Sequence, residues 1–295
     1  MKLKSPAKIN LFLNVLRKRK DGYHDIETLF ERISLADEIA LSKRPSGVQL
    51  KCSYGVASHG RAPLPAGQKN LATRAAKLLK DEYKVREGVF IKIKKRIPIG
   101  AGLGGGSSNA AAVLLGLNRL WRLDLSKKTL LRLAAKLGSD VPFFIMDTPF
   151  ALGRGRGEIL KEIRAPRLKI WHCLVWPGFS ISTKKAYQAL RPSFLTPKKT
   201  DAKMLIRSIR KCQKARARHT VPILLTNSLE LALNKRLKEI SRVKKELTWQ
   251  GASGCLMSGS GSCVFGVFKS KKGAEQAARF LKKNKSWQVF VVSTY

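Results

Sequence analysis

Over much of the first third of the chain, apolar residues return at every second position. In SPAKINLFL this puts Lys8, Asn10 and Phe12 on one face of a strand and Ala7, Ile9 and Leu11 on the other. The stretches LKSPAKINLFLNV (3–15), DIETLFERI (25–33), EIALS (38–42), VQLKC (48–52) and VFIKIKKRI (89–97) are β-rich, alternate in this way and are bounded by Gly, Asp or Pro, which predicts strands. One helix, NLATRAAKLLKDEY (70–83), interrupts them. The period then changes: Ala110, Ala111, Val113, Leu114, Leu117 and Leu120 recur at helical spacing and predict an amphipathic helix over 107–121. A further helix follows in SKKTLLRLAAKL (126–137), with Ser126 as its N-cap and Gly138 as its stop.

KEIRAPRL (161–168) reads as a connector and KIWHCLVWP (169–177) as a buried strand. Residues 201–248 read as mostly helical with basic faces. The chain closes with a strand pair around a glycine turn (254–268), a helix (272–283) and a strand (287–293). That ββαβ ending predicts a small sheet backed by helices. The class is therefore α+β, in two domains expected at 1–164 and 165–295.

Composition narrows the chemistry. With 295 residues and 44% hydrophobic content, a large core is available. No apolar run approaches the roughly 20 residues needed to span a bilayer, and the N-terminal stretch has no cleavage-signal pattern, so a cytoplasmic protein is expected. Cys52, Cys173, Cys212, Cys255 and Cys263 form no CxxC pair, and His24, His59, His172 and His219 are not at ligand spacing. Neither a disulfide scaffold nor a protein-built metal site is expected. The charge of +40, from 59 Lys and Arg against 19 Asp and Glu, points towards nucleic acid. Yet the basic residues are spread through every segment, and the densest cluster, at 206–219, lacks interleaved aromatics. Contact with nucleic acid is expected to be no more than non-specific electrostatic attraction.

The sharpest local signal is PIGAGLGGGSS, running directly into the helix at 107–121. Gly100, Gly102 and Gly105 satisfy GxGxxG, but Asp124, the candidate ribose acid, lies between two helices rather than at the end of a second parallel strand. No GKS or GKT follows, so a Walker A loop is excluded. A flexible linker would not feed straight into an apolar helix. What remains is a set of glycine backbones turned towards a helix N-terminus, where N–H groups and the helix dipole attract an anion. Pro98, Ile99, Gly100, Ala101, Gly102, Leu103, Gly104, Gly105, Gly106, Ser107 and Ser108 thus form a candidate phosphate-binding loop. The two serines either cap the helix or also face the phosphates and Mg²⁺.

Three stretches, SPAKINLFLNVLRKRKDGYHDIETLF, IPIGAGLGGGSSNAAAVL and MSGSGSCVFGVF, resemble in order and spacing the three motifs of the GHMP small-molecule kinases. Within them, PAKINLFL followed by DGYH is similar to the 4-diphosphocytidyl-2-C-methyl-D-erythritol kinases. LGSDVPFF (137–144), GRGEIL (155–160) and PGFSISTKKAY (177–187) extend the likeness over nearly the whole chain. The resemblance implies a two-domain GHMP fold, with an N-terminal half like the second domain of ribosomal protein S5 and a ferredoxin-like C-terminal half. It implies transfer of the ATP γ-phosphoryl to the 2-hydroxyl of the methylerythritol unit, in the non-mevalonate route to isoprenoid precursors.

It also implies roles. Asp140 would accept the hydroxyl proton, Lys8 would keep that carboxylate ionised and meet phosphoryl charge, and Asn10 would hold the same hydroxyl. Tyr23, His24 and Tyr187 would clasp the cytosine, with Thr183 near the substrate, and the loop 98–108 would bind ATP. Mg²⁺ would ride on the ATP phosphates. Ser258–Ser262 would abut the phosphate loop without catalysing. Ser228 departs from the family's usual Asn-Asp pair at 227–228. A monomer or weak homodimer is expected. Two rivals stand beside this reading: another GHMP kinase, of mevalonate, homoserine or galactose type, and a basic RNA-binding protein with an S5-like domain.

Overall fold

The alternating segments form strands, although not always with the predicted ends. The computed structural model describes residues 1–54, 67, 70–165, 167–190, 202–214, 225–232 and 237–295, without the side chains of 212–214, 231, 232 and 237. In chain order the elements are β1 (Lys2–Lys18), β2 (His24–Arg44), β3 (Val48–Tyr54), α1 (Leu71–Tyr83), β4 (Gly88–Lys95), α2 (Gly105–Leu120), α3 (Lys127–Leu137), α4 (Val141–Met146), β5 (Phe150–Arg154), β6 (Ile159–Glu162), β7 (Trp171–Trp176), α5 (Thr183–Gln188), α6 (Ala202–Lys214), β8 (Thr226–Asn227), α7 (Leu237–Trp249), β9 (Gly254–Met257), β10 (Val264–Phe268), α8 (Lys271–Leu281) and β11 (Gln288–Ser293).

The chain divides into two compact units that do not follow its order. The first comprises Met1–Ala7, Leu35–Ile99 and Gly104–Thr148; the second comprises Lys8–Ser34, Gly100–Leu103 and Pro149–Tyr295. In the first unit, β3 runs parallel to β4, and β4 runs antiparallel to the second half of β2, with Ile39 opposite Ile93. Helix α1 packs on α2 and α3, and α2 packs on α3 and α4. The predicted cap of α3 forms, with Ser126 Oγ accepting the N–H of Thr129, and Asn70 Oδ1 caps α1 by accepting that of Ala72. Gly138 ends α3 in extended backbone, at φ 169°, rather than in a left-handed turn. At Gly116 a Cβ would lie 2.5 Å from Leu41 Cδ1 and 2.6 Å from Leu3 Cδ1, so a larger residue there would require those leucine side chains to shift.

The second unit holds an antiparallel sheet in the order β11-β7-β10-β9. Helices α5 to α7 lie between β7 and β9 in sequence, and α8 lies between β10 and β11, giving the β-α-β-β-α-β arrangement of a ferredoxin-like half. Val175, Val264, Val289, Val243, Leu247 and Leu281 meet in its core. The first half of β2 pairs with β5, β5 with β6, and β1 with β8 in parallel, with Leu13 opposite Asn227.

Four elements differ from expectation. The strands predicted at 25–33 and 38–42 are one strand, β2, because Asp37 stays in it with both carboxylate oxygens taken by donors from 95–97 and Asn109. The hairpin β5–β6 was not expected; Gly153, Gly155 and Gly157 break its alternation. The six-residue α4 was not expected either, and Asp140 sits at its N-cap. Parts of the basic stretch at 191–220 and of the helical region predicted at 201–248, namely 191–201, 215–224 and 233–236, lie outside the described residues.

Candidate active site

In the second unit, β1 and β2 build a chain of buried polar groups. Lys8 Nζ donates to Asn10 Oδ1 at 2.7 Å, Asn10 Nδ2 to Thr28 Oγ1 at 2.8 Å, and Thr28 Oγ1 to the Phe12 carbonyl at 2.6 Å. Lys8 and Asn10 are two residues apart on one strand face, as the alternation predicted, while Thr28 comes from the next strand. Because the Thr28 hydroxyl spends its proton on Phe12, it can only accept from Asn10. That turns the Asn10 carbonyl oxygen towards Lys8, whose side chain is buried, with Nζ 5.6 Å from the Phe30 ring centre.

Gly100–Leu103 lies in the same unit. The Lys8 N–H donates to the Leu103 carbonyl at 3.0 Å, so β1 holds one end of this piece of the glycine loop. The turn 258–263 holds its middle. Ser258 Oγ donates to the Gly102 carbonyl at 3.0 Å, and the Cys263 N–H to the Ala101 carbonyl at 3.1 Å. Gly102 has φ +77°, and a Cβ there would lie 2.0 Å from the Ser258 carbonyl oxygen, so both conformation and space demand glycine. Gly259 packs on the lysine: a Cβ would reach 3.4 Å from Lys8 Nζ and 3.3 Å from Asn10 Oδ1. Asn227 fixes the turn by donating to the Met257 and Gly259 carbonyls, both at 2.8 Å. Ser228, the departure from family pattern, accepts the Val15 N–H at 3.1 Å and so ties β1 to the segment following β8.

An aromatic group forms at the start of β2. The His24 and Tyr187 ring centroids are 5.3 Å apart with planes tilted by 30°, although the residues come from β2 and α5. Tyr23 is exposed, and the Arg156 guanidinium lies 4.9 Å from its ring centre. Arg19 braces the turn through Asp21 and Asp25, and Asp21 Oδ1 accepts the Tyr23 N–H at 3.1 Å. Partial burial, aided by the like charge of Lys18, lowers the His24 pKa. Its imidazole is therefore neutral near pH 7 and offers one donor and one acceptor. Thr183, exposed at the start of α5, shares a hydrogen bond of 2.9 Å with Ser260 Oγ.

In the first unit, Gly104 stands at φ 68° as the N-cap of α2, which begins at Gly105, two residues before the predicted start. The two serines part ways. Ser107 is half-buried, whereas Ser108 is buried and accepts a hydrogen bond from Ser5 Oγ at 2.7 Å. Of the two hydroxyls, Ser107 is the more accessible at the helix start. Lys95 lies beneath this turn, since a Cβ on Gly105 would be 3.3 Å from its Nζ. Asp140 is half-buried before Val141, Pro142, Phe143 and Phe144, and its carboxylate does not cap α4.

Within one unit, then, the structure brings together Lys8 with Asn10, His24 with Tyr187, and Gly102 with the 258–263 turn. Asp140, Pro98, Ile99 and Gly104–Ser108 belong to the other unit. Sequence reasoning missed Thr28, Asp37, Lys95 and Arg156. A signal existed for Lys95: it follows Ile91 and Ile93 at period two, so the alternation points an ammonium inward, where a partner is required. Burial raises the pKa of the Cys173 thiol to about 12 and that of the half-buried Cys255 thiol to about 11, which keeps both protonated.

Comparison with known proteins gives the family. The family model "GHMP kinases N terminal domain" matches residues 70–148, and "GHMP kinases C terminal" matches 201–286. A protein of Pelotomaculum thermopropionicum named 4-diphosphocytidyl-2-C-methyl-D-erythritol kinase is 42% identical over 290 residues, covering 98% of this chain and 96% of that one. A crystal structure of 4-(cytidine 5'-diphospho)-2C-methyl-D-erythritol kinase superposes with a TM-score of 0.84 at 34% identity, covering 100% of both chains. L. major mevalonate kinase in complex with R-mevalonate reaches a TM-score of 0.69 at 17% identity over 100% of this chain and 95% of its own, a likeness of fold alone. Matched by both domain models in order and by close relatives from end to end, the chain belongs to the GHMP kinases and, among them, to the 4-diphosphocytidyl-2-C-methyl-D-erythritol kinase family.

Proposed function

We infer that this chain transfers the γ-phosphoryl group of ATP to the 2-hydroxyl of 4-diphosphocytidyl-2-C-methyl-D-erythritol, giving the 2-phosphate and ADP, in the making of isoprenoid precursors. The observation that carries the substrate assignment is the meeting of neutral His24 with Tyr187, beside exposed Tyr23. A pyrimidine needs a π-face to stack on and a donor–acceptor edge to pair with, and this group supplies both. The names of the relatives agree with that chemistry. The rival kinases act on alcohols without a base and have no use for such a group.

Phosphoryl transfer asks little covalent chemistry of the protein and much positioning. Asp140 takes the proton of the 2-hydroxyl as its oxygen bonds to phosphorus and the bond to the ADP oxygen breaks. Lys8, oriented by Asn10, meets the negative charge on the transferring group. The backbone of 98–108 and the start of α2 hold the triphosphate. Among the described residues, no three His, Cys, Asp or Glu side chains cluster to hold a metal ion. An Mg²⁺ held mainly by phosphate oxygens and water would supply charge neutralisation when bound.

Domains at 1–164 and 165–295, a cytoplasmic location and a monomer or weak homodimer complete the reading. No helix among the described residues is long and apolar enough to cross a membrane. The test is coupled ADP release with a panel of alcohols. Turnover is expected with the cytidylyl substrate and not with mevalonate, homoserine or galactose; no release above background with the cytidylyl substrate overturns the reading. Salt-sensitive RNA binding would not, because any protein of charge +40 attracts polyanions.

A further inference from the structure

One carboxylate reaches both ends of the loop 98–108. Asp37 is fully buried in β2. Its Oδ1 accepts the backbone N–H groups of Arg96 at 2.7 Å and Ile97 at 2.9 Å, the residues that lead into Pro98. Its Oδ2 accepts from Asn109 Nδ2 at 2.9 Å, in the first turns of α2, and from the Lys95 ammonium. Lys95 also donates to Asn109 Oδ1 at 3.1 Å, and Asn109 Nδ2 donates to Ser5 Oγ at 2.8 Å. Every polar atom of the Asn109 amide is thereby assigned, and with it the rotation of the helix start. Ser5 Oγ in turn donates to Ser108 Oγ at 2.7 Å. All of these residues lie in the first unit.

Five glycines within the loop leave it much conformational freedom, and an anion site made of backbone N–H groups works only when they converge. Fixing residue 97 and residue 109 to one buried point restricts the loop between them before any ligand arrives. We propose that Asp37 is the positioning residue of the nucleotide site: it clamps the exit of β4 to the start of α2 and so presets the loop for the triphosphate. The proposal rests on the reading of 98–108 as the ATP loop.

The experiment is direct ATP binding by calorimetric titration, without the alcohol, on the whole chain and its Asp37→Asn variant. Asparagine keeps the volume but sets an N–H₂ against Lys95 and Asn109. The Kd for ATP is expected to rise at least tenfold, and KM for ATP with it, while KM for the cytidylyl alcohol moves less than threefold. A Glu31→Gln control removes the buried carboxylate that faces His172 in the second unit; it should lower the unfolding midpoint and leave ATP affinity unchanged. If wild type fails to bind ATP, the kinase reading falls. If wild type binds and folded Asp37→Asn binds equally well, or loses both substrates alike, the clamp is overturned. Should Asp37→Asn not fold, Asn109→Ala decides: it releases only the helix end, and an unchanged Kd rejects the proposal.

Discussion

Among the described residues two lysines are buried, one in each unit, and they face different side chains. Lys95 donates to the Asp37 carboxylate. Lys8 donates to the Asn10 amide oxygen. A carboxylate cancels the charge it binds, whereas an amide oxygen orients an ammonium. The first contact fastens Lys95 within its unit and the second aims Lys8. Reading buried lysines by the chemistry of their partner, rather than by depth, separates the two.

The largest effects should fall on the amide-held lysine. Lys8→Ala is expected to lower kcat on the order of 100- to 1,000-fold, as loss of a preorganised charge does, with little change in unfolding midpoint. Lys95→Ala should reverse the pattern. Removing one partner strands a buried carboxylate at about 3 to 5 kcal/mol, read by urea unfolding, and reaches the reaction through ATP affinity. Equal losses of kcat in the two variants, at saturating ATP, would erase the distinction.

His24→Ala tests whether the second unit also chooses the alcohol. Losing one stacked or edge contact, about 1 to 3 kcal/mol, should raise KM for the cytidylyl substrate on the order of tenfold and leave KM for ATP alone. Since its pKa is lowered from 6.5 by burial and Lys18, the wild-type KM should stay level as pH falls through 6.5 and climb only below it. The smallest expected effect is that of Thr28→Val, which keeps shape but removes the hydroxyl that aims Asn10, at about 1 kcal/mol. kcat should fall severalfold and recover in Thr28→Ser, as a lost hydroxyl but not a lost methyl predicts.

Much of this was legible along the chain, for reasons that are local. Lys8 and Asn10 share a face because strands alternate, the α2 stripe follows helical spacing, and the ββαβ ending shows in its apolar runs and turns. The illegible parts depend on distant partners or on short segments. Nothing near Asp37 says that residues 95–97 and Asn109 will take its oxygens, so a polar break was read where one strand continues. The hairpin β5–β6 is too short and too rich in glycine to alternate, and α4 has too few residues for a helical period. Tyr187 could be matched to the aromatic group by resemblance, but only the fold sets it against His24.

The fit of Gly102 against Ser258 carries a consequence for how such chains can be exchanged. Each occupies space the other leaves: the glycine has no Cβ where the serine carbonyl stands, and the serine hydroxyl answers the glycine carbonyl. The two are written far apart and yet behave as one unit of inheritance. A chimera that joins the front of one family member to the back of another keeps its phosphate loop only when both halves of that fit travel together.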